Sequence, residues 1–358
     1  MADHKLSYAQ QISRQRMDVL RESIALLPPM CGQFFRGIEM TTSPLTRIGY
    51  AYDLRLFFQF LATQIEQFRR EDERAFTIAD LEQITALHIE LYMEYLGGYE
   101  RGEKYYENHE NGKSRKLASL RTFFHYFFKN ELLSKNVVEL IDFPKRHQKP
   151  IVRLEVDEVA KFLDQVEDGT ALTEKQQRYH AITKLRDLCM MTMFLSTGIR
   201  ISECVGLNIS DVDFNVDAIR ITRKGGNQAI VYFGDELEQV LLEYLEQRQG
   251  IEPQPGHEDA LFLSLQRRRI TPRAVQLLVK KYAAIVTPLK PITPHKLRST
   301  YGTNLYQETG DIYLVAEVLG HSDVNTTRRH YAAMGEDQRR RAAKAVHLRD
   351  QPPVQDEK

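Results

Sequence analysis

The stretch DFPKRHQKPIVRL, Asp142–Leu154, divides the chain into two halves that do not share one periodicity. Pro144 and Pro150 each lack a backbone N–H and push the residue before them away from helix. Lys145, Arg146, Lys149 and Arg153 leave no apolar face to bury. Such a segment reads as a linker, and a chain of 358 residues is long enough for a domain on either side. The expected organisation is a domain over residues 1–141, a basic linker over 142–155, a second domain over 156–350, and a disordered tail, QPPVQDEK, over 351–358.

The first half carries helical spacing throughout. Leu6–Leu27 has an apolar stripe that stops at Pro28-Pro29. Ser43–Gln64 opens with serine before proline, a cap followed by a first-turn residue. Two shorter helices follow, TIADLEQIT and TALHIELYMEYLGGY, the second stopped by Gly97-Gly98. After a polar loop, NGKSRKLASLRTFFHYFFKNELL predicts a long helix with a basic start and an aromatic second half. The first 140 residues therefore read as all-helical, with one helix before residue 42.

The second half is mixed. Helices are expected at Val156–Val166 and His180–Thr197 around the loop near Gly169. DAIRITRKGGNQAIVYF alternates apolar and polar residues on both sides of Gly225-Gly226, which predicts a β-hairpin. Helices resume from Asp235 to about Gln249, then at TPRAVQLLVKKYAAIV, TPHKLRSTYGTNLYQET and DIYLVAEVLG. The fold class is mainly α, with a small antiparallel sheet in the second domain.

Lys+Arg and Asp+Glu both total 49, so bulk charge says nothing of partners. The basic residues nevertheless gather in GKSRKLASLR, PKRHQKPIVR, LQRRRITPR and the run from Thr327 to Arg349, and a local field is what a phosphate meets. Candidate DNA-backbone contacts are Lys113, Arg115, Lys116, Arg121, Lys145, Arg146, Arg153, Arg267, Arg268 and Arg273. No apolar run is long enough to span a bilayer and the N-terminus lacks an apolar secretory core, so a cytoplasmic protein with no membrane partner is expected. Cys31, Cys189 and Cys204 are far apart and form no CxxC pair, which predicts reduced thiols.

Chemistry concentrates in four segments. TGIRISE places Arg200 before a helix start, and TRKGG places Lys224 at a hairpin tip. HKLR puts His295 and Arg298 on one helix face. GHSDVNTTRRHY puts His321 ten residues before Tyr331. Singly, each has an ordinary reading: Arg200 as a helix cap or a partner of Glu203, Lys224 as a turn residue, His295 as a helix-start histidine. Together they suit attack on a phosphodiester. Asp and Glu show no metal-ligand spacing, so a two-metal route lacks its ligands and no cofactor is expected. Arginine forks suit the non-bridging oxygens, and a reversible reaction needs a protein nucleophile to store the bond energy.

TGIRISE, HKLRST, LGHS and TTRRHY, in this order, resemble the tyrosine recombinase (phage integrase) family over about residues 155–347. The helical first half and the linker are similar in layout to that family's SAM-like core-binding domain. The resemblance implies a two-domain C-shaped clamp on DNA, with Arg200, Lys224, His295, Arg298, His321 and Tyr331 as catalytic residues. Ser299 departs from the pattern, standing where many members have a second histidine. The implied reaction is attack by Tyr331 on a scissile phosphate, leaving a 3′-phosphotyrosyl link and a free 5′-hydroxyl, without metal or ATP. Arg200 and Arg298 would clamp the non-bridging oxygens, His321 would donate beside them, His295 would assist the tyrosine's proton and Lys224 would protonate the leaving oxygen.

The implied partners are double-stranded DNA with paired sites and a homo-tetramer, joined by exchange of the helix in GEDQRRRAAKAVHL. The alternative for that helix is packing on its own domain. A partner recombinase or directionality factor and a nucleoid location also belong to this picture. Residues 1–42 are too short for a separate arm-binding domain, leaving Xer-like resolution or mobile-element integration. A type IB topoisomerase and a DNA-binding protein without catalysis are the competing readings.

Overall fold

The computed structural model describes residues 8–145, 152–223, 226–320 and 324. The chain divides into two compact units, Met1–Lys149 and Pro150–Lys358.

The first unit is built on α1 (Tyr8–Ala25), α2 (Pro29–Gly37), α3 (Pro44–Gln64), α4 (Ile78–Glu82), α5 (Ala86–Tyr95) and α6 (Glu110–Lys129). Ser43 caps α3, its Oγ accepting from the Thr46 N–H at 3.3 Å, with Pro44 at the first helical position. Leu54, Phe57, Phe58 and Leu61 of α3 are fully buried, as are Leu117, Leu120, Phe123 and Phe127 of α6. Phe123 meets Phe34 of α2 edge-on, 5.1 Å between ring centres. Each such buried side chain contributes about 1.5–3 kcal/mol.

Two features here depart from an all-helical reading with one early helix. Pro28-Pro29 ends α1 but also starts α2, because proline is tolerated at a first turn. The signal was present in Met30, Cys31, Phe34 and Phe35, which share one buried face. The supposed polar loop after α5 holds a hairpin, β1 (Tyr99–Arg101) and β2 (Lys104–Tyr106), paired Tyr99 to Tyr106 and Arg101 to Lys104. Gly102 opens its two-residue turn at φ 61°. Stacked rings, Tyr95 on Tyr99 at 5.0 Å and Tyr99 on Tyr106 at 5.5 Å, hold strands whose composition is otherwise polar.

The second unit contains α7 (Val156–Asp168), α8 (Glu174–Thr197), α9 (Ile201–Gly206), β3 (Val212–Asp213), β4 (Ala218–Thr222), β5 (Gln228–Tyr232), α10 (Asp235–Gln249), α11 (Pro272–Val286), α12 (Pro294–Thr309) and α13 (Ile312–Leu319). Its antiparallel sheet has the order β3-β4-β5, with Ala218 opposite Tyr232 and Thr222 opposite Gln228. The first strand, too short to show alternation, was not expected. α8 begins well before His180, because Thr173 and Gln176 form a reciprocal cap ahead of a polar first turn. Its apolar end, Cys189, Met190, Met191, Met193 and Phe194, is the centre of this unit's core.

All three cysteines are free and buried. Among the described residues no helix is long and apolar enough to cross a membrane.

Candidate active site

Three chain segments meet at the C-terminal end of α13. The first is the end of α8. Gly198 terminates it in the left-handed region (φ 63°), and a Cβ there would lie 2.5 Å from Tyr301 of α12 and 2.8 Å from Leu319 of α13. Only glycine lets the three helices close on this point. The chain then turns into α9 with Arg200 as its N-cap.

Glu203, buried at 5% exposure, serves Arg200 twice. Its Oε2 accepts the Arg200 backbone N–H at 2.8 Å and its Oε1 accepts from Nη1 at 2.8 Å. The cap and the side-chain orientation thus come from one carboxylate. The ordinary reading of Arg200, a cap and an ion pair, is fulfilled.

The second segment is α12. Thr293 caps it and Pro294 occupies its first turn. His295 lies exposed on that turn, while Arg298, one turn on, is buried at 5% exposure. Arg298 donates from Nη1 to the Gly198 carbonyl at 2.5 Å and from Nη2 to the Leu319 carbonyl. Ser299, the departure from the family pattern, is buried and donates to the His295 carbonyl at 3.0 Å.

The third is α13 itself. Asp311 caps its start, accepting from Tyr313 and Leu314 N–H groups, and Gly320 (φ 61°) ends it. The last carbonyls of a helix have no partners inside it and form the negative end of its dipole. Here arginines take them. Arg200 Nη2 donates to the carbonyls of Gly320 at 2.9 Å and Leu319 at 3.3 Å. Arg298 shares Leu319, and Arg223 Nη2 reaches Val318 at 3.3 Å. The motif reading missed Arg223; its position in TRKGG, beside Lys224, was the available signal.

Arg200 and Arg298 are therefore brought together at Leu319, while His295 stands exposed one turn before Arg298 on α12. Lys224, His321 and Tyr331 lie outside the described residues, as do Arg146 and the helix expected after Tyr331. Among the described residues, no group of three His, Cys, Asp or Glu side chains is placed to hold a metal ion.

The basic candidates separate into two classes. In the first unit Arg115 is itself exposed, but both its Nη atoms bond the buried Asp53 at 2.5 and 2.6 Å, with Ser119 adding a third bond to that carboxylate. Lys116 is buried and donates to Asn108 at 2.8 Å. Arg121 bonds the Ile141 carbonyl and lies over the Phe143 ring. Lys113 is half-buried beside Gly97, and Lys145 is exposed. In the second unit Arg153 pairs with Glu155 at 3.3 Å, whereas Arg267, Arg268 and Arg273 are exposed. Arg269 between them is buried, holding the Val205 and Leu207 carbonyls.

Comparison with known proteins bears on what this arrangement is. A model of the Phage integrase family matches residues 152–337. Tyrosine recombinase XerC of Caldanaerobacter subterraneus subsp. tengcongensis is 32% identical over 311 residues, 84% of this chain and 82% of that protein. Tyrosine recombinase XerC of Pelobacter propionicus is 30% identical over 296 residues, 82% of this chain and 86% of that protein. Among solved structures, the Tn1549 transposon integrase in complex with circular intermediate DNA aligns at a TM-score of 0.63 and 20% identity, covering 88% of this chain and 99% of that one. At that identity the likeness is one of fold.

Proposed function

This chain belongs to the phage integrase family, and from that premise we propose that it is a site-specific DNA recombinase that cleaves and rejoins strands through a 3′-phosphotyrosyl intermediate. The observation that carries the reading is the convergence of Arg200 and Arg298, from two helices, on one carbonyl beside the start of LGHS. The bonds Arg200 makes within the protein leave donors of its fork over for a phosphate. Phosphate oxygens are charged and accept more strongly than amide carbonyls.

In the reaction Tyr331 Oη bonds to phosphorus as the bond to the 5′-oxygen breaks. The tyrosine proton passes to His295, and Lys224 gives a proton to the leaving oxygen. Arg200, Arg298 and His321 hold the non-bridging oxygens, where charge grows in the transition state. An ordinary tyrosine has a pKa near 10 and attacks poorly at neutral pH, so both the base and the surrounding cations are needed. Attack by the 5′-hydroxyl of a partner strand reverses the step. Neither metal nor ATP enters.

The same reading assigns residues 1–141 to a core-binding domain, 142–155 to a linker and 156–350 to the catalytic domain. It has four protomers on paired DNA sites in the cytoplasm, coupled through the segment after Tyr331. Work with a partner recombinase or directionality factor fits the same scheme.

The test is covalent trapping on genomic DNA, followed by denaturation and sequencing of what stays attached. Fragments from one short inverted-repeat site support the reading, and Tyr331→Phe should bind that site without adduct. Scattered attachment would indicate relaxation of the topoisomerase kind. Binding with no adduct in the unaltered chain would indicate a DNA-binding protein without catalysis.

A further inference from the structure

Arg223 directly follows β4, at the mouth of the hairpin that leads into Lys224. Its N–H donates to the Asn227 carbonyl at 2.7 Å and its own carbonyl accepts from the Gly226 N–H at 3.0 Å, so its backbone is fixed by the turn. The side chain does not follow the usual course of a turn arginine into solvent. Nη2 donates to the Val318 carbonyl. Nη1 occupies the space a side chain on residue 320 would need, 1.7 Å from where a Cβ would stand on Gly320. Its Nε–H is buried and meets no acceptor among the described residues. A buried cationic donor without an acceptor is unfavourable, so the guanidinium is held there by what the rest of it touches.

What it touches is the end of α13, where Arg200 and Arg298 also bond. Chain order makes that contact consequential. Lys224 follows Arg223 directly, and His321 follows Gly320 directly. A permanently charged fork on a long stem suits the negative end of a helix and can grip it while lying flat on a glycine.

We propose that Arg223 is a positioning residue for strand cleavage: its grip on the Val318 carbonyl and the face of Gly320 seats the β4–β5 hairpin on the end of α13 and so sets where Lys224 delivers its proton. The proposal rests on the reading of Lys224 as the acid for the leaving group. It also gives residue 320 a second reason to be glycine, beyond its left-handed backbone.

The step allows a direct test. The Tyr331 Oη–phosphorus bond forms, the phosphorus–O5′ bond breaks, and the Lys224 Nζ proton goes to O5′. With sulfur in place of the bridging 5′-oxygen, the leaving group departs as a thiolate without that proton, since a thiol's pKa of about 8.5 lies far below an alcohol's. The substrate is the duplex recovered by covalent trapping, made with oxygen and with sulfur at the scissile 5′ position, and cleaved by the full chain in single turnover.

On the oxygen duplex Lys224→Ala should lose about 10²–10⁴-fold, and Arg223→Ala on the order of 10²-fold from misplacement alone. On the sulfur duplex both should return close to the unaltered rate. Arg223→Lys, which keeps the charge without the fork, should fall between, and it provides the same comparison should the alanine variant melt early. If Lys224→Ala is rescued by sulfur while the Arg223 variants are not, or if they cleave oxygen at the unaltered rate, the proposal is wrong. If Lys224→Ala is not rescued, the acid assignment fails and the proposal with it.

Discussion

Arg200 and Arg298 donate to the same backbone oxygen, that of Leu319, although one is the N-cap of α9 and the other stands on α12. Their surroundings differ. Arg298 is nearly sealed at 5% exposure and also binds Gly198, whereas the Arg200 side chain keeps 32% exposure and leans on Glu203. Arg298→Ala should therefore cost both cleavage and about 1–3 kcal/mol of stability, because it takes this donor from the buried Gly198 carbonyl and leaves Leu319 to Arg200 alone. Arg200→Ala should cut cleavage by a comparable factor and also lower the melting temperature, because it leaves the buried Glu203 carboxylate without its guanidinium partner. Single-turnover cleavage and thermal melting on the two variants check both outcomes; an Arg200→Ala protein that melts like the unaltered chain would contradict the role given to Glu203.

Glu203 acts on the site through Arg200. Glutamine can accept with one oxygen only, so Glu203→Gln can keep the cap of α9 or the grip on Nη1, and its amide would point a donor at a donor. The expected result is cleavage reduced on the order of 10²-fold with DNA affinity almost unaltered. A parallel loss of affinity would mean that Glu203 organises the DNA surface and not one arginine.

The two classes of basic residue predict different salt behaviour. Replacing exposed Arg267, Arg268 or Arg273 with alanine should lower the slope of log affinity against log salt by about 0.9 for each phosphate that is no longer neutralised. Arg115→Ala should leave that slope alone and instead lower stability by about 1–3 kcal/mol, since it leaves the buried Asp53 with Ser119 as its remaining donor among those described. A slope change in Arg115→Ala would return it to the DNA-contact class.

Asp80 gives the first unit a pH dependence. Bonds from Arg70, with further donors from Thr77, hold its carboxyl below the ordinary value of 3.8. A depressed folded-state pKa contributes stability that is complete above the unfolded value and is lost as the pH falls through the folded one. Melting temperature should therefore drop as the pH is lowered below about 4, and the drop should be shallower in Asp80→Asn. That variant should cost about 1–2 kcal/mol at neutral pH. An identical acid slope in the variant would assign the dependence elsewhere.

Much of this molecule was legible from local pattern. Caps such as Ser43 and Thr293 and the helical periodicity of α3 and α6 act within a few residues, so the sequence displays them. The motifs around Arg200, His295 and Arg298 were equally visible, because residue type and order identify a family without any geometry. Elements held by distant partners were not. The hairpin at Tyr99–Tyr106 depends on stacking across strands, and α2 on aromatic contacts with α6. Charge alone could not tell Arg115 from Arg268, since the difference is a carboxylate 62 residues away on another helix. Nor could spacing reveal that Arg223 joins Arg200 and Arg298 at the end of α13. Which elements form is decided largely by neighbours in the chain. Which guanidinium is spent inside the protein, and which faces a substrate, is decided only when the helices pack, because a cation's role depends on the acceptor that packing places within reach.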